Sequence, residues 1–149
     1  MKVLIGVLII GCATALAQVS GTQSDNPVPA YHSTPPGKGA LIAPILTPQQ
    51  LAGGGFTQPG QTESYKAAAR VPSLLYQMPC YCFCDRGHGH TSLRSCFEST
   101  HGANCGTCIA EALYAYQRSK KGWTAKMIRD GIVRGDWKLI DLQHPAPVQ

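Results

Sequence analysis

Six of the chain's seven cysteines fall between positions 80 and 108: Cys80, Cys82, Cys84, Cys96, Cys105 and Cys108, interleaved with His88, His90 and His101. Donors packed that closely along a chain constrain its fold, because each sulfur must be paired, coordinated or packed as a small apolar group. The rest of the sequence reads as what carries, tethers and braces this cluster.

An export signal opens the chain. Lys2 precedes the apolar run Val3 to Ala13, too short to span a bilayer, and Ala15-Leu16-Ala17 supplies the small-residue pattern for cleavage before Gln18. Ile9-Ile10-Gly11-Cys12 has the form of a lipobox, so a second expectation is attachment to a membrane through lipid on Cys12. Either route places the mature protein in a periplasmic or extracellular compartment, where disulfides are chemically allowed.

Residues 18–63 are expected to form a flexible tether. Seven of the eleven prolines and seven of the sixteen glycines lie between 18 and 62, and such a stretch offers little periodic apolar surface to offset its conformational entropy. Ala40 to Leu46, then Thr47-Pro48-Gln49-Gln50-Leu51, form an island that suggests a short strand and a helical turn docking on the domain. His32 reads as a solvated side chain.

The compact unit is expected over residues 64–142, with 143–149 as a fraying tail that includes His144. About 80 residues make a single hydrophobic core marginal, so a staple of disulfides or metal is expected. The fold class is mainly α: three or four short helices around an irregular Cys/His-rich segment. Tyr65 to Val71 begins it, limited by Pro72. Thr91 caps a short helix through Glu98, and Asn104 caps the longest, from Cys105 to about Ser119. On that helix Cys105, Ile109, Ala112 and Tyr116 recur at helical spacing and Leu113 widens the stripe, while Glu111, Gln117 and Arg118 supply polar positions. Gly122 ends it. Thr124 caps a further helix through about Val133, and Gly135 breaks that one. The expected core is Ile109, Leu113, Tyr116, Met127, Ile128 and Ile132, with Trp123 and Trp137 as pillars.

The formal charge of +5 is modest, and its lysines and arginines are scattered. No nucleic-acid surface is indicated. Arg118, Lys120 and Lys121 stand where a helix ends, which the helix dipole explains. No Ser-His-Asp arrangement, paired catalytic carboxylates or nucleotide motif supports hydrolase or transferase chemistry, and no catalytic residue is assigned.

Cys80-Tyr81-Cys82-Phe83-Cys84 would, in an extended chain, set three sulfurs along one side at intervals of about 7 Å. Neighbours in such a row stand at the edge of disulfide reach. The outer pair would be about 13 Å apart, so one ion holds both only if the segment curls. The glycines of Gly87-His88-Gly89-His90 let the backbone bring two imidazoles beside the sulfurs. Asp85 reads either as a turn former or as an acceptor orienting a ligand imidazole. Cys105-Gly106-Thr107-Cys108 puts two sulfurs at a helix start, where free amides favour thiolate.

Met78-Pro79-Cys80-Tyr81-Cys82-Phe83-Cys84, Gly89-His90-Thr91-Ser92-Leu93, Cys96-Phe97-Glu98 and the CxxC of Cys105 and Cys108 together resemble the CYCXC or PCYCGC-motif family, over roughly residues 64–142. Its largely uncharacterised members look like exported proteins or lipoproteins, and some are described as selenoproteins. That use of selenium implies a reactive or metal-bound chalcogen more than an inert bridge. Phe83 stands where the motif has glycine, which puts a tight curl at Cys84 in question.

Three functions follow. In the first, Cys80, Cys82, Cys84, His88, His90, Cys96, His101, Cys105 and Cys108 hold metal, copper in one or several ions with zinc as the alternative, for electron transfer or copper handling with a redox or metal-donor partner protein. In the second, three disulfides staple a small interaction module; six cysteines allow fifteen pairings. In the third, Cys105 and Cys108, or part of the CxCxC row, exchange thiol for disulfide. The histidines favour the first, because a disulfide framework has no use for them.

Overall fold

The computed structural model describes residues 28–149. The export signal, the lipobox with Cys12 and the start of the tether lie outside the described residues. The expected mainly α class is what the chain adopts, and no strand occurs among the described residues.

Helix α1, Pro48–Gly53, is a short turn stabilised at its start by a reciprocal cap: Thr47 Oγ1 accepts from Gln50 N at 3.3 Å, and Gln50 Oε1 accepts from Thr47 N at 2.9 Å. The helical half of the anticipated island therefore forms, whereas Ala40 to Leu46 runs as irregular chain. From residue 28 onward this stretch lies against the domain. Ala30 N donates to Asp85 Oδ2 at 3.0 Å, the His32 ring stacks on Tyr76 at 3.7 Å, Arg94 donates to Ala43 O at 2.6 Å, and Leu46 N donates to Phe97 O at 3.0 Å. His32 is thus a packed ring and not a solvated one.

Helix α2, Pro59–Arg70, begins six residues before Tyr65. Proline at the first helical position has no amide to leave unpaired, and Gln61 secures the start by accepting from Gln58 N at 3.1 Å and donating to Ala103 O at 3.0 Å. A single turn, α3, Pro72–Leu75, follows and leads into the cysteine segment, in which Cys84–Gly87 forms another turn, α4.

Two consecutive 3-10 helices, Leu93–Phe97 and Thr100–Asn104, come next. The first replaces the expected α-helix from Thr91 to Glu98. Ser92 is its cap, and Arg94, almost wholly buried, pairs with Glu98 one turn on.

Helix α5, Gly106–Lys120, is the axis of the fold, and every residue from Cys108 to Tyr116 is buried. Its two sides serve two cores. Cys108, Ala112 and Ala115 join the larger one with Tyr65, Leu75, Leu93, Phe97, Ile128 and Ile132, while Ile109, Leu113 and Tyr116 pack with Ala67. Helix α6, Ala125–Arg134, is capped as expected by Thr124, whose hydroxyl accepts from Met127 N, and Gly135 ends it with a φ of +84°. Met127 is not core. It is 46% exposed, since it sits about 100° round the helix from the buried Ile128. After Gly135 the chain makes a 3-10 turn, Asp136–Leu139.

Candidate metal centre

Local backbone choices bring the sulfurs together. The segment from Pro79 to Ser92 is a closed loop whose ends are tied where Leu93 N donates to Met78 O at 2.8 Å. Inside it the CxCxC run is curled, not extended. Phe83 N donates to Cys80 O at 3.0 Å, and Phe83 takes the left-handed conformation, φ +58° and ψ +35°, the lone described non-glycine residue with positive φ. The curl doubted because Phe83 replaces glycine therefore forms, with Phe83 itself at the position that a glycine would occupy without strain.

With the row folded on itself, Cys80 and Cys82 Sγ lie 3.2 Å apart and Cys82 and Cys84 Sγ 2.6 Å. Cys108, on the first turn of α5, brings its sulfur to 3.3 Å from Cys80 and 3.4 Å from Cys82. Cys96, on the first 3-10 helix, reaches Cys80 at 3.8 Å and Cys84 at 3.9 Å. The imidazoles enter from the other side: His101 Nε2 is 3.0 Å from Cys84 Sγ and His90 Nδ1 is 3.2 Å from Cys96 Sγ.

Two overlapping donor sets result, each with all its ligand atoms within 4.8 Å of one another. One is Cys80, Cys82, Cys84, Cys96 and Cys108; the other is Cys84, His90, Cys96 and His101. Metal–sulfur bonds of about 2.3 Å place two sulfurs of one tetrahedral ion about 3.8 Å apart, a spacing that the contacts of Cys96 match. All six sulfurs are free thiols. The donor set could therefore hold a metal ion, for which the closer contacts among Cys80, Cys82, Cys84 and Cys108 would open toward that spacing.

Seven of the nine residues anticipated from sequence meet in these sets. Cys105 and His88 stay outside both. Cys105 is the N-cap of α5, a place expected for Asn104, and is half-buried beside Cys82 and Cys108. His88 is exposed, with its ring 4.5 Å from that of His101 and 5.9 Å from that of His90.

Thiols this close share their protons. Donation from Cys105, then from Cys108 and Cys80, holds the Cys82 thiol far below its ordinary range. Cys80, hydrogen-bonded to Cys108, and Cys108, hydrogen-bonded to Cys105, are pushed up. Cys84 is lowered to about 7, first by its hydrogen bond with Cys80. Cations that bind at such thiols displace protons.

Glu111 belongs to the same place, although its position on the helix suggested a polar surface residue. It has no solvent exposure. Its Oε1 accepts from Tyr81 N at 2.9 Å, its Oε2 has no hydrogen-bond partner, and burial pushes its pKa up to about 8. The signal was in the spacing, since Glu111 follows Cys108 by three residues and shares its face of α5.

These features define a small helical protein organised around a buried cysteine–histidine cluster that could hold a metal. The chain belongs to the family described as proteins of unknown function with a PCYCGC motif, which matches residues 56–138, more than half its length. The resemblance carried by the cysteine motifs is thereby borne out. No curated protein and no solved structure matches the chain.

Proposed function

We propose that the cluster is a soft-metal centre, that its ion is copper(I), and that the protein handles copper outside the cytoplasm. The observation that carries this reading is the convergence of five sulfurs and two imidazole nitrogens, from the loop, both 3-10 helices and α5, in two overlapping sets whose ligand atoms lie within 4.8 Å of one another. Seven donors exceed the four of a closed zinc site, and thiolates that bridge suit copper(I). The leader read at Lys2 to Ala17 and the lipobox at Cys12 support export, and a partner protein would donate or accept the ion.

An exchanging thiol has to be both reactive and accessible, and this leaves thiol–disulfide exchange one candidate: Cys82 is lowered and half-buried, whereas Cys84 is lowered but only 4% exposed and the more accessible Cys105 is raised. A stapling role is disfavoured because it leaves no use for the imidazoles that stand beside the sulfurs, His101 at 3.0 Å from Cys84 and His90 at 3.2 Å from Cys96.

The test is elemental analysis with thiol counting on full-length protein exported to the periplasm and purified anaerobically. Stoichiometric copper with free thiols is the expected result. Stoichiometric zinc would overturn copper while leaving the metal centre, and three disulfides without metal would overturn both.

A further inference from the structure

We infer that the centre holds two ions bridged by the Cys84 and Cys96 thiolates, and that the outer ion is the one exchanged with a partner. This rests on the metal-centre reading above and deepens it. The two donor sets have Cys84 and Cys96 in common, and those two sulfurs are 3.9 Å apart. One tetrahedral ion takes four donors, so seven cannot surround a single ion. Shared thiolates reduce the excess: Cys80, Cys82 and Cys108 stand with the two bridging sulfurs around an inner, all-sulfur half of five donors, from which one tetrahedral ion takes four, and His90 and His101 complete an outer half of two sulfurs and two nitrogens. Each imidazole already stands beside one of the bridging sulfurs, His101 at 3.0 Å from Cys84 and His90 at 3.2 Å from Cys96.

The halves differ in chemistry and in access. The inner donors are thiolates, the softest ligands a protein offers, and favour copper(I) strongly. Of the inner donors Cys82 is half-buried, while Cys80, Cys84, Cys96 and Cys108 are each no more than 4% exposed, and the wholly buried Glu111 accepts from the Tyr81 amide between Cys80 and Cys82. In the outer half both histidines are half-buried, and the exposed His88 stacks edge-on against His101. Borderline nitrogen donors bind copper(I) less tightly than thiolate does. The outer ion is therefore the weaker-held and the nearer to solvent, and a partner offering sulfur or imidazole ligands reaches it first. The inner ion stays as the fixed half of the pair, holding the loop to α5.

Full-length exported protein, kept anaerobic and loaded with copper(I) alone, tests this by native mass spectrometry and by release to excess copper(I) chelator. The wild type is expected to carry two ions and to release them in two phases of equal amplitude. Double substitution His90→Ala and His101→Ala should lose one ion of the two and abolish the fast phase. One ion in the wild type overturns the bridged pair but leaves the metal-centre reading standing; no ion and three disulfides overturns both. A single release phase for two ions overturns the assignment of the outer ion as the exchanged one. Circular dichroism shows whether the double variant keeps its helices: if it does and both ions are gone, the division into halves is wrong. Should it unfold, the two phases of the wild type decide the question alone.

Discussion

The backbone N–H of Tyr81 donates at 2.9 Å to Oε1 of Glu111, a side chain fully removed from solvent on the helix that also supplies Cys108. That bond ties the cysteine loop to α5 between the first two sulfurs of the CxCxC run. Removing it with Glu111→Ala leaves a half-buried amide unpaired, at a cost of about 1–3 kcal/mol. Glu111→Gln retains a carbonyl acceptor. Urea unfolding of the metal-free protein should therefore show Ala destabilised and Gln close to wild type; equal loss in both would mean that the Tyr81 bond is not what Glu111 contributes.

Phe83 carries a backbone strain that glycine would not. A non-glycine residue in the left-handed region gives up about 1–2 kcal/mol. The ring recovers part of this by an edge contact with Tyr81 at 5.8 Å and by lying under the Arg86 guanidinium at 4.2 Å. Phe83→Ala loses the ring contacts and keeps the strain, whereas Phe83→Gly loses both. Glycine should therefore be the more stable of the two variants by about 1 kcal/mol, the reverse of the usual order. Thermal unfolding of the pair checks it, and alanine equal to or above glycine would contradict it.

Gly102 is where the second 3-10 helix touches the first. A Cβ there would lie 2.8 Å from the backbone oxygen of Cys96 and 3.3 Å from the Phe97 ring. Backbone cannot swing aside as a flexible side chain does, so Gly102→Ala should push Thr100–Asn104 away at a cost of about 1–3 kcal/mol. His101 moves with it, away from Cys84. Weaker metal binding together with a lowered melting temperature is expected, read by competition with a chelator; unchanged affinity would mean that His101 donates nothing.

Sequence alone gave good access to whatever depends on local periodicity. The stripe of Ile109, Leu113 and Tyr116, the Thr124 cap and the stop at Gly135 are properties of neighbouring residues, and each is found in the fold. The residues of the cluster were also legible, because soft donors are rare and were concentrated. What escaped depends on contacts between distant segments. The early start of α2 is secured by Gln61 reaching Ala103, and His32 is held by Tyr76. The curl at Phe83 defies a local conformational preference, so extended geometry was the natural expectation for alternating cysteines. Met127 fell the other way: its apolarity suggested burial, but α6 turns that position outward.

Cys105 and Cys108 look equivalent in the CxxC motif, and the fold separates them. Cys108 is fully buried and contacts the Cys80 and Cys82 sulfurs at 3.3 and 3.4 Å from a rigid helix. Cys105 caps that helix and belongs to neither donor set. Cys108→Ser replaces a soft donor by a hard one at the base of the inner half and should abolish or sharply weaken metal binding. It should also remove whatever stability the ion lends, because metal binding and folding are linked. Cys105→Ser should do the opposite. Serine is among the best N-cap residues, and its oxygen accepts from helix amides better than sulfur does, so α5 should gain up to about 1 kcal/mol while metal stoichiometry holds. Paired measurements of bound metal and of melting temperature, with and without chelator, read both effects. Equal loss of metal in the two variants would place Cys105 among the ligands and end the separation drawn between the two sulfurs.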